Sequence, residues 1–259
     1  MKQRSIGFAL GILLALTNPL GNDSAIASTT DGSSPTPAVY LARVGFAVAG
    51  SSSPKSILLT GTVAHDANRP TPVADPISLK IDFDGRTQMT VSAPAGAISE
   101  TWTASGSTGV CTSTLDTRTA AITPSNCWNS ASWILPTFAL ANSTVSARLS
   151  ATSATVTQDG NPVLQVTLQI PATGHSASIG QYITTVSSRT VYLDPNTLLP
   201  ISMTYSEHPG FKTYAAIPVR VVYSDYRTVN GVTVPFHILK TVAGHTTLDI
   251  TIDSVIATF

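Results

Sequence analysis

The chain has 259 residues, 14 Lys plus Arg, 14 Asp plus Glu and a formal charge of zero, and only 11% of its positions are charged against about 25% in an ordinary soluble domain. With no basic excess to neutralise phosphates, a nucleic-acid partner is excluded, and the scarcity of Glu and Lys argues against a helical bundle or coiled coil. An apolar content of 42% can fill a core, so wholesale disorder is excluded too.

The first predicted element is a secretory signal. Met1-Lys2-Gln3-Arg4 is a basic start, Ile6 to Leu16 is an uncharged apolar run, and Ala25-Ile26-Ala27 matches the small-x-small cleavage pattern. Residues 1–27 are expected to be removed after Ala27. The competing assignment, a retained anchor, meets an apolar run shorter than the ~20 residues a bilayer needs. Asn18, Pro19, Gly21, Asn22 and Asp23 also break it. The mature chain is expected to be periplasmic or extracellular and not integral to the membrane.

Residues 28–36 form a Ser/Thr/Gly/Pro-rich flexible tail. A single domain is expected over 37–259. Pro37 to Ala49 reads as a short helix with Pro in its first turn, stopped by Gly50 to Pro54. Strands follow at Ser56–Ala64, Ile77–Phe83, Thr87–Ser92 and Ile98–Ala104, with Asp84-Gly85 as a hairpin turn. Cys111 and Cys127 are an even pair in an exported chain, which suggests a disulfide. Closing that loop would stabilise the fold by about 3 kcal/mol. A metal or redox pair is the alternative, and no His stands beside either Cys.

Trp128, Trp133, Ile134, Leu135, Phe138 and Leu140 make the most apolar stretch of the mature chain. Pro136 inside it excludes one unbroken helix, so a turn and then a helix from about Pro136 to Asn142 are expected. From Ala151 onward the pattern reads as strands with turns at Asp159-Gly160, Asp194 to Thr197, His208 to Gly210 and Asn230-Gly231.

The last three strands allow a register argument. A two-residue Asn230-Gly231 turn sets Val229 opposite Val232, Tyr223 opposite Ile238, Val221 opposite Lys240 and Asp225 opposite Phe236. For Leu248, Ile250 and Ile252 to share that apolar face, the next loop must hold an odd number of residues, since a one-residue slip reverses every side chain. Ala243-Gly244-His245 serves, with Ile238 opposite Ile250 and Phe236 opposite Ile252. The result is an antiparallel meander with one apolar face and one Thr/Asp face. The Trp128–Leu140 segment is the natural cover for the apolar face.

Two segments carry a family resemblance. Thr190 to Pro200 (TVYLDPNTLLP) and Val222 to Pro235 (VYSDYRTVNGVTVP) resemble two hairpins of LolA-like proteins, the periplasmic lipoprotein carriers and related exported proteins, acidobacterial ones among them. The resemblance covers Ala151 to Phe259. It implies a mainly β (α+β) fold: a curved antiparallel sheet or half-barrel, with a few short helices covering its concave face. It also implies a concave apolar cavity that holds lipid or lipoprotein acyl chains. The motif residues Asp194, Pro200, Asn230, Gly231 and Pro235 are structural in character.

Catalytic and cofactor signatures are absent: there is no nucleophile elbow, zinc-protease motif, phosphate loop or dinucleotide fingerprint. The five histidines, His65, His175, His208, His237 and His245, do not fall in metal-ligand spacing. No catalytic residue, metal ligand or cofactor is assigned. The candidate ligand-binding residues are Trp133, Phe138, Tyr223, Phe236 and Ile238, which on sequence alone could equally be ordinary core. The expected function is a non-enzymatic carrier of a hydrophobic ligand. The alternative is an envelope interaction module with a closed core that docks a protein or glycan.

Overall fold

The computed structural model describes residues 54–65, 74–82, 86–93, 96–103, 112–115, 118–121, 133–136, 150–171, 173–208 and 215–259. The signal, the tail, the expected helix at 37–49, Cys111, Cys127, Trp128 and Phe138 lie outside these residues.

Among the described residues, thirteen strands form one open, curved antiparallel sheet. In chain order they are β1 (Ser56–His65), β2 (Ala74–Asp82), β3 (Arg86–Ala93), β4 (Gly96–Thr103), β5 (Thr112–Leu115), β6 (Arg118–Ala121), β7 (Ser150–Gln158), β8 (Asn161–Gln169), β9 (Arg189–Leu193), β10 (Pro200–Glu207), β11 (Ile217–Val229), β12 (Val232–Val242) and β13 (His245–Thr258). The spatial order is β6-β5-β4-β3-β2-β1-β13-β12-β11-β10-β9-β8-β7. Two meanders therefore meet at a central seam, where β1 runs antiparallel to β13 from Ser56↔Thr258 to His65↔Leu248.

That order dictates the cover. β6 and β7 lie at opposite edges of the sheet, roughly 58 Å apart along the arc at the usual strand spacing. The connection between Ala121 and Ser150 must return from one edge to the other, well within its extended reach of roughly 95 Å. Along it Trp133, Ile134 and Leu135 are buried in the same cluster as the sheet's apolar side chains. The expected cover is in place at these residues. Pro136 has helical backbone, and the rest of the expected helix lies outside the described residues.

Alternation decides which face is buried. In β2 the apolar Ile77, Leu79 and Ile81 are buried, and the residues between them are more exposed. In β11 Val219, Val221 and Tyr223 point inward, while Arg220 and Ser224 point out. The inner, concave face carries the core, and the outer face carries Thr, Ser and charged residues.

Two-residue turns join β7 to β8, β11 to β12 and β12 to β13. Asp159-Gly160, Asn230-Gly231 and Ala243-Gly244 all have positive φ at both positions, which matches the twist of the flanking strands. Ala243 is held there by donating its N–H to the Pro218 carbonyl at 2.8 Å.

The register of β11 on β12 is as expected at Val229↔Val232, Tyr223↔Ile238 and Val221↔Lys240. At Asp225 the register is unbroken, since the pairs on either side leave it opposite Phe236, but the backbone departs from a regular strand. Asp225 takes φ 53° between Ser224↔His237 and Tyr226↔Pro235, and it points to solvent. Ile238 does face Ile250, but the device differs from the expected three-residue loop. Val242 pairs with His245 across a two-residue turn, and a bulge between Lys240 and Thr241 restores the parity. Thr247 is the extra residue. Further bulges at Thr60/Gly61 and Pro200/Ser202 bend the sheet in the way bulges do. At Gly61 a Cβ would stand 2.0 Å from the Thr251 carbonyl oxygen, so only glycine admits that approach.

Three elements were not anticipated. β5 and β6 are short, four-residue strands. The third is helix α1, Ala177–Ser187, in a region expected to hold only strands. Its Ile183, Thr184, Thr185 and Val186 are β-branched and favour strand locally. Tertiary burial of Val186 and Ser187 overrides that preference, and the Ser187 hydroxyl accepts the Ile170 N–H at 2.9 Å.

Candidate functional site

The inner face places four of the five expected ligand residues in the core. Trp133 and Ile238 are fully buried, and Tyr223 and Phe236 nearly so. Phe138 lies outside the described residues. Tyr223 sits in mid-β11 facing inward, and its hydroxyl donates to the Trp133 carbonyl and lies 4.0 Å from the Met203 sulfur. Burial pushes the Tyr223 phenol well above its ordinary pKa, with Tyr226 and Tyr205 adding to the shift. It therefore stays a neutral donor to the cover. Tyr226, also raised by burial, donates to the Pro200 carbonyl at 2.8 Å.

One end of the inner face is polar. The Lys240 ammonium lies 5.4 Å from the centre of the Trp133 ring and 3.4 Å from Glu207. Arg189 is buried opposite Tyr205, and desolvation brings its guanidinium down to about 10. At the other end the Arg227 guanidinium stacks 4.3 Å from the Phe236 ring and pairs with Asp225. The arrangement is an apolar surface closed by a Trp-bearing cover, with cations at both ends. Sequence reasoning found the apolar part by its crowding. It missed Arg189, Glu207 and Lys240, because their inward direction follows from the pairing of β8 to β12.

The outer face holds a second constellation. The Ser224 hydroxyl lies 3.0 Å from His237 Nδ1, and His237 Nε2 lies 2.7 Å from Asp249. In type this is nucleophile, base and orienter. It lies across β11, β12 and β13 on the solvent side, with His237 and Asp249 about 40% exposed. The same face carries Thr60 with Ser254, Thr228 with Thr233, and Thr167 with Thr190 as hydrogen-bonded cross-strand pairs. We read the Ser-His-Asp row as one more rung of that polar ladder.

Among the described residues no three His, Cys, Asp or Glu side chains converge on a metal position. No helix among them is long and apolar enough to cross a membrane.

No family model and no curated protein matches the sequence. Solved structures do match the fold. A LolA superfamily protein from Nitrosomonas europaea superposes with a TM-score of 0.54 at 9% identity, covering 86% of this chain and 93% of that one. A Vibrio parahaemolyticus domain bearing the name of an outer membrane lipoprotein-sorting protein gives 0.50 at 10% identity, covering 78% and 85%. The chain shares its fold with these two structures.

Proposed function

We propose that the protein is an exported, non-enzymatic carrier that buries an acyl chain of a lipid or lipoprotein against the inner face. Tyr223, Phe236 and Ile238 form the floor, and the segment from Trp133 to Phe138 forms the movable cover. The observation that carries this reading is the cover's attachment: Trp133, Ile134 and Leu135 fill the apolar face, and the Tyr223 hydroxyl holds the Trp133 carbonyl. Burying those three side chains contributes roughly 5–9 kcal/mol. A dozen methylenes of an acyl chain contribute roughly 10 kcal/mol by the same measure. Exchange of cover for ligand is therefore close to balanced, which reversible carriage requires. Lys240 and Arg189 stand at one end, where an anionic head group would lie.

Export follows from the signal over 1–27. The mature protein then comprises the tail at 28–36 and a domain at 37–259, in the periplasm or outside the cell, with Cys111 and Cys127 joined as a disulfide. A second reading, an envelope module with a closed core, is favoured by the complete burial of Trp133 and Ile134.

One experiment separates the two. The purified protein is extracted with organic solvent for mass spectrometry and titrated with a fluorescent fatty acid. The carrier reading expects co-purifying lipid and faster exchange in Tyr223→Phe, whose cover has lost its tether. A folded protein without lipid, indifferent to the fatty acid, but holding a stoichiometric protein partner from envelope extracts, establishes the second reading and overturns the first.

A further inference from the structure

A groove of about 720 Å³ runs over β9 to β12 on the outer face, within the size range of small-ligand sites. It faces away from the acyl-binding surface, so the two readings stand independently. Its floor is one continuous row across four strands. Thr190 is opposite Thr204, Thr204 opposite Arg220, and Arg220 opposite Thr241. Neighbouring strands stand about 4.8 Å apart, so these groups recur at close to the width of a pyranose ring. The next rung is apolar, with Val222 opposite Leu239, both half-buried.

The electrostatics are one-sided. Among the described residues the lining presents one outward cation, Arg220, and no Asp or Glu, for Arg189, which also borders the groove, is buried on the inner side opposite Tyr205. Arg220 is exposed, and it makes no ion pair with any described residue. A guanidinium fork takes a carboxylate by two parallel hydrogen bonds. Threonine hydroxyls both donate and accept, as sugar hydroxyls require. Thr241 already donates to the Arg220 carbonyl at 3.3 Å, which leaves its lone pairs for a ligand donor. Val222 and Leu239 offer an apolar patch for the C–H face of a sugar ring. One cation, a row of hydroxyls and a small apolar patch together select a sugar that carries an acid.

We infer that this groove binds a uronate, its carboxylate on Arg220, its hydroxyls on Thr190, Thr204 and Thr241, and its ring face on Val222 and Leu239. The full chain, labelled at Thr, Val and Leu methyl groups, is titrated with glucuronate, glucose and inorganic phosphate and followed by NMR. Glucuronate is expected to move the methyl signals of these five residues together. Arg220→Gln should weaken it roughly tenfold or more, as loss of a charge-assisted pair does, and Arg220→Lys should fall between. Thr204→Val should weaken glucuronate and leave phosphate unchanged. A thermal melt confirms that each variant is folded. Equal binding of glucose, equal binding by Arg220→Gln, or no perturbation at these methyls overturns the proposal. Phosphate binding as tightly as glucuronate marks a bare anion site and also overturns it.

Discussion

At the scale of single residues, Asp194 shapes the connection from β9 to β10. Its carboxylate accepts the N–H groups of Thr197 and Asn196 at 2.8 and 2.9 Å and the Thr197 hydroxyl at 3.1 Å. Its own N–H and C=O pair with Leu199 and Leu198. This network holds Leu198 at φ 59°, a conformation that a leucine rarely takes unaided. The hydrogen bonds, that from Thr197 N–H first, keep the carboxyl below the usual 3.8. A folded value below the unfolded one gives stability that is complete above 3.8 and lost as the pH falls through the folded value. Asp194→Ala should cost about 0.5–1 kcal/mol at neutral pH, the lower range for a lost cap because the turn is exposed. Asp194→Asn keeps an acceptor and should flatten the acid side of the profile. Urea denaturation at pH 7 and pH 3 checks both; an acid profile in Asp194→Asn as steep as in the parent chain contradicts the assignment. The residue was legible in the sequence as an Asp-Pro turn, because its partners lie within five positions of it.

At the scale of elements, legibility follows how local the cause is. Asn230-Gly231 and the alternation around it fix the β11–β12 register, and the ladder agrees from Val229 back to Val219. Helix α1 was hidden because its β-branched residues favour strand, and the burial of Val186 and Ser187 that reverses the choice requires the helix to be packed against β8. The β12–β13 bulge was hidden for another reason. Parity demanded one extra residue, and a glycine turn advertised the loop as its place, whereas Thr247 in the strand carries no turn signature. This placement makes a prediction. Deleting Thr247 removes the bulge, keeps the Ala243-Gly244 turn and leaves Ile238 opposite Ile250. Its cost should be small, a lost hydrogen bond from Thr247 to the Lys240 carbonyl of about 1 kcal/mol. Deleting Asp249 instead leaves two outcomes, both of which turn apolar side chains to solvent: with the bulge kept Ile250 and Ile252 shift by one, and with the bulge lost Leu248 moves to the outer face opposite Leu239. Circular dichroism and thermal melting should show a folded chain in the first case and an unfolded one in the second. A chain that unfolds without Thr247 would make the bulge itself a requirement of the fold.

At the scale of the whole molecule, the two meanders depend on the β1–β13 seam. Its pairings join residues about two hundred positions apart, such as Ile57↔Ala257 and Leu59↔Val255. No local pattern encodes that contact, which is why the sequence displays two meanders but not their union. The inward row of Arg189, Glu207 and Lys240 and the outward row around Arg220 were hidden likewise, since each needs the strand order before its members become neighbours. The seam also has a kinetic consequence. Contacts of long sequence separation carry the largest closure entropy and are rewarded late, whereas the Asn230-Gly231 hairpin closes over a two-residue turn. Leu59 and Val255 are buried in the seam, and Val234 is buried in the hairpin. Truncating Leu59 to Ala removes core volume worth about 2–5 kcal/mol, and Val255→Ala should cost less. If the seam docks after the folding transition state, these losses appear as faster unfolding with the folding rate changed less than about twofold. Val234→Ala should instead slow folding, because its contacts are already formed at the barrier. Stopped-flow folding and unfolding in urea distinguishes the two sites. Seam variants that slow folding as much as Val234→Ala would show that the termini meet early and that the sheet condenses from its middle.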